Sequence, residues 1–362
     1  FPDVDGDGRR EMAALFGRNL YVIDGAGELV HYETCDNPHA AHIAASTDGR
    51  TNRPVTEGER IETKPASLAS DRQVAVLMSG PALPLSVGLV EAGGGEARRI
   101  TEIPDRFPMD QHVTPVNVTL TAEDGFEFYN QLFLPPDLEP GEQRPALIFI
   151  HGGSRRQMFL GYHDRIFYHW AYGINQYYAN KGYVVLSVNY RSGIGYGQEF
   201  RNAPDVGRRG NAEYRDILAA GRYLQEREDV DPDQVGLWGL SYGGILTAQG
   251  LARNSDVFAA GVDIAGVHHW GNTLDPDDTA YAASSISEVD RWTSPVLLVH
   301  GDDDRNVAFS QTVGLVQALR ANDVPFELMV FPDEVHDFLV FDKWLLTWDA
   351  MEDFFRRFLE EG

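Results

Sequence analysis

Lysine is scarce in this sequence, where it occurs only as Lys64, Lys181 and Lys343. The 30 lysine and arginine residues are outnumbered by 55 aspartate and glutamate residues, which gives a formal net charge of -25 at pH 7. A surface of this sign repels nucleic-acid phosphates and anionic lipid headgroups. We therefore expect no nucleic-acid partner, whereas the overall field would attract cationic substrates.

Cysteine occurs once, at Cys35, which excludes a framework of intrachain disulfides. The sequence also has no apolar run near the roughly 20 residues that a membrane-spanning helix needs, so no membrane span is predicted. The chain begins at Phe1 without a methionine or a signal-like segment, from which we expect a fragment or a processed product. The sequence favours neither a cytoplasmic nor an exported location.

Short alternating strands separated by glycine turns are predicted over residues 1–112. The segments "NLYVIDGAGELVHYE" and "LSVGLVEAGGGEARRITEI" alternate around Asp-Gly and Gly-Gly-Gly turns, which is typical of β-hairpins. The acidic stretch Asp3–Glu11 could wrap a calcium ion or form a plain hairpin turn. An EF-hand loop is excluded because Ala14 stands where that loop needs glutamate.

The sequence pattern changes over residues 113–362. A chain of 362 residues with 43% hydrophobic content has enough apolar residues for two hydrophobic cores. Short apolar runs such as "ALIFIHGG", "GYVVLSVNY", "QVGLWG", "FAAGVDIAG" and "SPVLLVHG" are typical of strands buried on both faces. Helical spacing is found between and after them, over residues 212–227, 241–253, 309–321 and 344–359. This alternation predicts a doubly wound, mostly parallel α/β sheet, whose ligands bind beyond the carboxyl ends of the strands.

The segment "GLWGLSYGGILTAQG" contains the candidate nucleophile, Ser241. Small residues on both sides of this serine relieve crowding at a tight strand-to-helix turn, which exposes the hydroxyl at the top of the sheet. The amino terminus of the following helix favours a developing anion. The structural alternative is a plain strand-helix turn.

A serine hydroxyl is a weak nucleophile at neutral pH, so Ser241 needs a histidine as base and a carboxylate that orients the histidine. The chain order in this type of fold is serine, acid, histidine. His336, in "FPDEVHDF", follows the last predicted strand and is placed to return over the nucleophile. His300 is expected to pack or hydrogen-bond beneath the acid loop, the segment with the candidate carboxylates at 302–304. His268 and His269 are expected to line a pocket.

Three adjacent aspartates, Asp302, Asp303 and Asp304, follow the strand that precedes His336. Composition leaves open which of them is the acid. Because three neighbouring carboxylates repel one another, we expect at most one to be buried against the imidazole.

Five motifs occur in a fixed order in the second part of the chain. They are "HGG" at 151–153, "NYRSGIGYG" at 189–197, "VDPDQVGLWGLSYGG" at 230–244, "SPVLLVHGDDDRNV" at 294–307 and "FPDEVHDF" at 331–338. From about Val116 to the C-terminus, this set resembles the catalytic domain of the prolyl oligopeptidase family of serine peptidases, which includes dipeptidyl and acylaminoacyl peptidases. The resemblance implies an α/β-hydrolase fold for residues 113–362, preceded by a smaller, all-β, partial propeller-like region at 1–112.

The family pattern H-G-x-x-D-x-x-V places the acid on Asp304, so the resemblance implies a triad of Ser241, Asp304 and His336. It also implies an oxyanion hole formed by the backbone N–H of Tyr242 and that of Gly152 or Gly153. A backbone donor is favoured in the second position because His151 stands where some members have a tyrosine.

A pocket for the residue before the scissile bond is a further implication of the resemblance. Its expected lining is Tyr242, Val267, Trp270 and Val307, with Asn306 reaching a substrate carbonyl. Core packing is the alternative for the first four residues.

The sequence hypothesis is a serine peptidase that cleaves short peptides through an acyl-enzyme. It requires no metal and no organic cofactor, its partner is the peptide substrate, and a homo-oligomer is left open. The alternatives are a carboxylesterase with the same machinery, or a binding module whose hydrolase domain is inactive. About 110 residues precede the hydrolase region, enough for roughly two propeller blades and too few for the closed propeller that family members carry.

Overall fold

The computed structural model divides into two compact units, one formed by Phe1–Pro115 with Phe159–Ile174 and the other by Val116–Met158 with Asn175–Gly362. The predicted division, at 112/113, treats the domains as consecutive, whereas the first unit also includes a segment from within the second. The residues that the structure describes are 13–16, 19–23, 29–36, 41–46, 53–56, 60–68, 73–91, 93–207, 209–271, 274–275 and 277–361. The acidic stretch Asp3–Glu11 lies outside them, so its calcium alternative stays a prediction.

Before residue 115, the described part of the first unit contains two antiparallel sheets. The strands of the first sheet are β1 (Ala13–Phe16), β2 (Asn19–Ile23), β3 (Leu29–Asp36), β4 (Ala41–Ser46) and β5 (Arg53–Pro54). Those of the second are β6 (Ile61–Leu68), β7 (Gln73–Ser79), β8 (Ser86–Glu91) and β9 (Arg98–Arg99). The predicted all-β region is confirmed, and its antiparallel sheets are consistent with a partial propeller.

Buried apolar residues alternate with less buried ones along β7 and form the core of the second sheet. Val74, Val76 and Met78 are buried and pack with Val55 and Val90. Successive side chains on a strand point to opposite faces, so this period of two places one apolar face inward.

An eight-stranded sheet forms the centre of the second unit, within the described residues. Its strands are β10 (Val116–Thr121), β11 (Glu127–Phe133), β12 (Arg144–Ile150), β13 (Val184–Asn189), β14 (Val230–Leu240), β15 (Ala260–Ile264), β16 (Val296–Gly301) and β17 (Phe326–Phe331). Their order is β10-β11-β13-β12-β14-β15-β16-β17. β11 pairs antiparallel with both of its neighbours, β10 and β13. Every later pair of neighbours in this order, from β13-β12 to β16-β17, is parallel. The predicted α/β-hydrolase fold with a mostly parallel sheet is confirmed.

Helices connect these strands along the chain. The α-helices of the described residues are α1 (Ile166–Asn180), α2 (Gln198–Arg201), α3 (Asn211–Gln225), α4 (Tyr242–Arg253), α5 (Thr279–Ala282), α6 (Ser310–Ala321) and α7 (Phe341–Phe355). The other helical segments of the described residues are the 3-10 helices Met109–Gln111 and Ser285–Arg291 and the π-helix Arg356–Glu360. No helix among the described residues is both long enough and apolar enough to cross a bilayer.

The strands β13, β15 and β16 are buried at every position. Burial on both faces explains why their sequences read as continuous apolar runs rather than alternating ones. Since β12, β14, β15, β16 and β17 are mutually parallel, their carboxyl ends lie along one edge of the sheet. The residues that follow these ends therefore form the candidate site.

Candidate active site

Ser241 occupies the turn between β14 and α4 in a strained backbone conformation. Its φ of 62° and ψ of -115° are rare for a residue with a side chain. Its N–H donates to the Ile264 carbonyl at 2.8 Å, and its own carbonyl accepts from the N–H of Ile245 at 2.9 Å. These bonds tie the turn to β15 and to the first turn of α4. Strain of about 1–3 kcal/mol is held at this position, which is characteristic of functional turns.

Glycine is required on both sides of Ser241 because atoms of the neighbouring strands lie too close to leave room for a Cβ. A Cβ at Gly243 would lie 2.0 Å from the Ile150 carbonyl oxygen, and one at Gly239 would lie 2.6 Å from the same atom. At Gly244 a Cβ would lie 2.3 Å from Asp263 Oδ1. The glycines thus let the start of α4 pack directly against the ends of β12 and β15.

Asp304 lies three residues beyond β16 and accepts hydrogen bonds through both carboxylate oxygens. His336 Nδ1 donates to Oδ2 at 2.6 Å, and the N–H groups of Asn306 and Val307 donate to Oδ1 at 2.8 and 2.9 Å. Burial opposes ionisation of Asp304, but the bonds from His336, Val307 and Asn306 outweigh it and hold the pKa of this carboxyl below its usual range. The group is therefore an anion at neutral pH, suited to orient and stabilise a charged imidazole.

The other two aspartates of this loop have different environments. Asp303 is exposed and pairs with Arg305 at 3.3 Å, and Asp302, also exposed, accepts the N–H of Asp333 at 2.7 Å. Of the three, only Asp304 is buried against the imidazole, as expected from their mutual repulsion.

A second histidine binds the same oxygen of Asp304. His300 is completely buried, and its Nε2 lies 3.0 Å from Asp304 Oδ2 and 3.1 Å from the Val307 carbonyl, while its Nδ1 lies 2.7 Å from Thr312 Oγ1. Burial lowers the pKa of His300 despite the adjacent carboxylate. The predicted role of His300, hydrogen bonding beneath the acid loop, is confirmed.

His336 lies in the loop between β17 and α7, at the same sheet edge as Ser241. A backbone hydrogen bond joins this loop to the acid loop: the Asp303 N–H donates to the Glu334 carbonyl at 3.1 Å. Among the described residues, no hydrogen bond links the Ser241 hydroxyl to His336. The structure thus joins Asp304 to His336 directly and brings Ser241 to the same edge. Catalytic hydrogen bonds are often formed only when substrate is present.

The predicted oxyanion donors lie at the ends of β12 and β14. Tyr242 opens α4, where the first N–H groups have no acceptor within the helix. Gly152 and Gly153 follow β12, and Gly153 has a φ of 48°. His151 is buried, stacks on Tyr190 with ring centroids 4.2 Å apart, and accepts the Tyr190 hydroxyl at its carbonyl at 2.7 Å. This packing fixes the loop that carries the two glycines.

A cavity of about 570 Å³ opens beside Ser241. Tyr242 and Trp270, both predicted to line the substrate pocket, are among its lining residues. Val267, Asn306 and Val307 are not. Val267 packs against the main core, while Asn306 and Val307 act through their backbone N–H groups on Asp304.

A scan against protein-family models matches residues 170–361, more than half of the chain, to the prolyl oligopeptidase family. The chain belongs to the prolyl oligopeptidase family. Dipeptidyl peptidase 8 of Mus musculus is 26% identical over 359 residues, which cover 92% of this chain and 40% of that protein. Dipeptidyl aminopeptidase BIII of Pseudoxanthomonas mexicana is 30% identical over 223 residues, 54% of this chain and 30% of that protein.

Among solved structures, a puromycin-hydrolyzing peptidase of Mycobacterium tuberculosis superposes with a TM-score of 0.78 at 22% identity, covering 94% of this chain and 53% of that one. This likeness supports the fold of this prolyl oligopeptidase family member. The chain spans less than half of the two curated relatives above and about half of this neighbour.

In this family member, a buried aspartate-histidine pair lies behind the nucleophile turn. Asp263 and His268 are fully buried, with Oδ2 and Nε2 3.3 Å apart, and Asp263 Oδ1 accepts the Gly266 N–H at 3.1 Å. Burial raises the pKa of Asp263 well above its usual range and lowers the pKa of His268 to about 3. Burial thus favours the uncharged form of both groups. His268, expected to line a pocket, is not among the residues that line the Ser241 cavity.

Sequence reasoning missed three charged residues of the cavity, namely Arg155, Arg201 and Glu213. Arg155 could have been found, because it follows the predicted oxyanion loop directly. Arg201 and Glu213 come from α2 and α3, and nothing in their sequence context points to the nucleophile.

Replacing Gly243 with alanine tests the close approach of α4 to β12. We expect the free energy of unfolding to fall by about 1–3 kcal/mol or more, because the Ile150 carbonyl cannot move without breaking the sheet. Chemical denaturation measures the change. Gly314→Ala, inside α6, where the added Cβ meets no atom within 4 Å apart from the backbone of its own helix, is the matched control and should stabilise by about 0.5–1 kcal/mol. Equal effects of the two substitutions would contradict the close approach.

Proposed function

We propose that this chain carries the catalytic site of a serine peptidase that hydrolyses short peptides through an acyl-enzyme. The observation that supports it most is the 2.6 Å bond between His336 and the buried Asp304, at the sheet edge where the strained Ser241 turn lies. Membership of the prolyl oligopeptidase family favours a peptidase over the other two hypotheses, the carboxylesterase and the inactive binding module.

In the proposed reaction His336 Nε2 accepts the Ser241 proton as the hydroxyl attacks the substrate carbonyl. Asp304 holds the Nδ1–H tautomer and stabilises the imidazolium that forms. The negative charge that develops on the carbonyl oxygen meets the N–H of Tyr242 and that of Gly152 or Gly153. Each such donor contributes about 3 kcal/mol to transition-state stabilisation. His336 then protonates the leaving amine, and water releases the acyl group by the same steps in reverse.

The two curated relatives described above are a dipeptidyl peptidase and a dipeptidyl aminopeptidase, and the solved neighbour is a peptidase that hydrolyses puromycin. These names support amide bonds of short substrates as the target. We propose the coarser activity, peptide-bond hydrolysis, and leave the choice between exopeptidase and oligopeptidase to experiment. The proposed partner is thus a peptide, and a homo-oligomer stays a prediction.

The test combines active-site labelling with a substrate panel. We expect a fluorophosphonate probe to label the chain covalently, and p-nitroanilides of aminoacyl, dipeptidyl or acyl-aminoacyl type to be hydrolysed. Labelling together with turnover of simple esters alone would favour the carboxylesterase. Folded protein that neither reacts with the probe nor cleaves any substrate would favour the binding module.

A further inference from the structure

The cavity beside Ser241 is lined by two arginines that have no acidic partner among the residues described by the structure. Arg155 and Arg201 both line it, and both are exposed. Within the described ranges, neither guanidinium makes an ion pair or a side-chain hydrogen bond. In a protein with a net charge of -25, two such arginines beside one nucleophile make this opening locally positive.

The acidic residue of the same cavity is not exposed at its surface. Glu213 is completely buried, and it accepts the Gly207 N–H at Oε1 over 3.4 Å. Burial raises its pKa, which favours the neutral acid. The start of α4 adds partial positive charge at Ser241. The exposed charged side chains of the cavity lining are therefore the two arginines.

The rest of the cavity suits a short side chain with an apolar stem. Tyr242, Ile245 and Trp270 supply apolar walls, and Val206 adds a further contact surface. A residue whose carbonyl is attacked by Ser241 must place its own side chain within a few ångströms of that serine. Its methylene groups would lie against these walls and its head group near the guanidiniums.

We propose that this cavity receives the residue before the scissile bond and selects a carboxylate side chain there, that of glutamate or aspartate. The inference rests on the proposed peptidase function and names its substrate class. Arginine presents paired N–H donors that match the two oxygens of a carboxylate, so Arg155 and Arg201 are the specificity-determining residues.

The test compares p-nitroanilide substrates that differ only in the residue before the cut, Ala-Glu against Ala-Gln and Ala-Asp against Ala-Asn. We expect kcat/KM to be roughly tenfold higher for each carboxylate than for its amide. Because the arginines are exposed, the preference should shrink between roughly 0.05 and 0.5 M salt, while the amide substrates show no such trend. Equal kcat/KM within each pair overturns the proposal.

Substitutions test whether the two arginines cause the preference for a carboxylate side chain. The double variant Arg155→Gln/Arg201→Gln should cleave Glu and Gln substrates at similar rates, and each single variant should lose part of the preference. Arg320→Gln changes the net charge equally but concerns an exposed arginine stacked on Phe326, outside the cavity, and should keep the full preference. A preference that survives in the double and both single variants overturns the proposal.

Binding measurements distinguish a failure of this inference from a failure of the proposed peptidase function. If no peptide is cleaved, the peptidase assignment fails, and calorimetry with the Ser241→Ala chain decides the inference. Tighter binding of amidated Ala-Glu than of amidated Ala-Gln supports it, and equal binding overturns it. If free Ala-Gln binds as tightly as amidated Ala-Glu, the guanidiniums bind a backbone carboxylate, and the side-chain assignment is overturned.

Discussion

Ser241→Ala is expected to remove fluorophosphonate labelling and to lower kcat by roughly 10⁴-fold or more. The substitution removes the attacking oxygen and leaves the turn, whose backbone bonds to Ile264 and Ile245 do not involve the side chain. The oxyanion donors and the cavity remain, so a small residual rate above that in water is compatible with the mechanism. Labelling of intact protein by mass spectrometry and steady-state kinetics on the best p-nitroanilide measure the two effects.

Ser310→Ala is the control for this variant. Ser310 is an exposed serine at the start of α6, so it shares with Ser241 the position at a helix amino terminus but lies away from the Ser241 cavity. Its replacement should leave labelling and kcat unchanged. Persistent labelling of the Ser241→Ala chain would assign the nucleophile to another residue and end the mechanism proposed above.

Asp304→Asn is expected to lower kcat by about 10⁴-fold while the fold is retained. The amide oxygen can still accept the N–H groups of Asn306 and Val307, which bind Oδ1 at 2.8 and 2.9 Å. The amide nitrogen, however, replaces the oxygen that accepts from His336. Two donors would then face each other, so His336 must carry its proton on Nε2, where it cannot accept the proton of Ser241.

Asp303→Asn is the matched control, since Asp303 is the exposed neighbour that pairs with Arg305 rather than with a histidine. We expect its kcat to stay near that of the unchanged chain. Chemical denaturation of both variants distinguishes loss of chemistry from loss of fold. Near-normal turnover by a folded Asp304→Asn chain would contradict the tautomer argument and, with it, the role of Asp304.

The alternation of strands and helices in the second unit could be predicted because its segments are long and strongly patterned. The predicted helix 241–253 is observed as Tyr242–Arg253, and the predicted helix 309–321 as Ser310–Ala321. Helix α1, Ile166–Asn180, was not predicted. Its sequence, "IFYHWAYGINQYYAN", has aromatic residues around most of its circumference, so it lacks the contrast between apolar and polar faces on which such predictions depend.

The segment Phe159–Ile174 illustrates a second limit of prediction from sequence, which concerns the domain to which a segment belongs. The sequence places it inside the hydrolase region, whereas the structure groups it with the first unit. Within that unit, Ser79 Oγ donates to the Tyr162 carbonyl at 2.6 Å, and the Tyr172 hydroxyl donates to the Pro81 carbonyl at 2.9 Å. These bonds join residues more than 80 positions apart, and no local pattern encodes such contacts.

The letters alone determined the parallel hydrolase sheet and the turn at Ser241, because apolar runs and glycine spacing are local properties of the chain. They left the acid open among Asp302, Asp303 and Asp304, and the choice of Asp304 for the candidate triad came from the family resemblance. Only the tertiary structure decided that His300 and His336 share one oxygen of Asp304, and that Arg155, Arg201 and Glu213 line one cavity with Ser241. The physical reason is that hydrogen bonds and cavities depend on which strand ends become neighbours. That adjacency is set by the packing of the whole sheet, between residues that are distant in sequence.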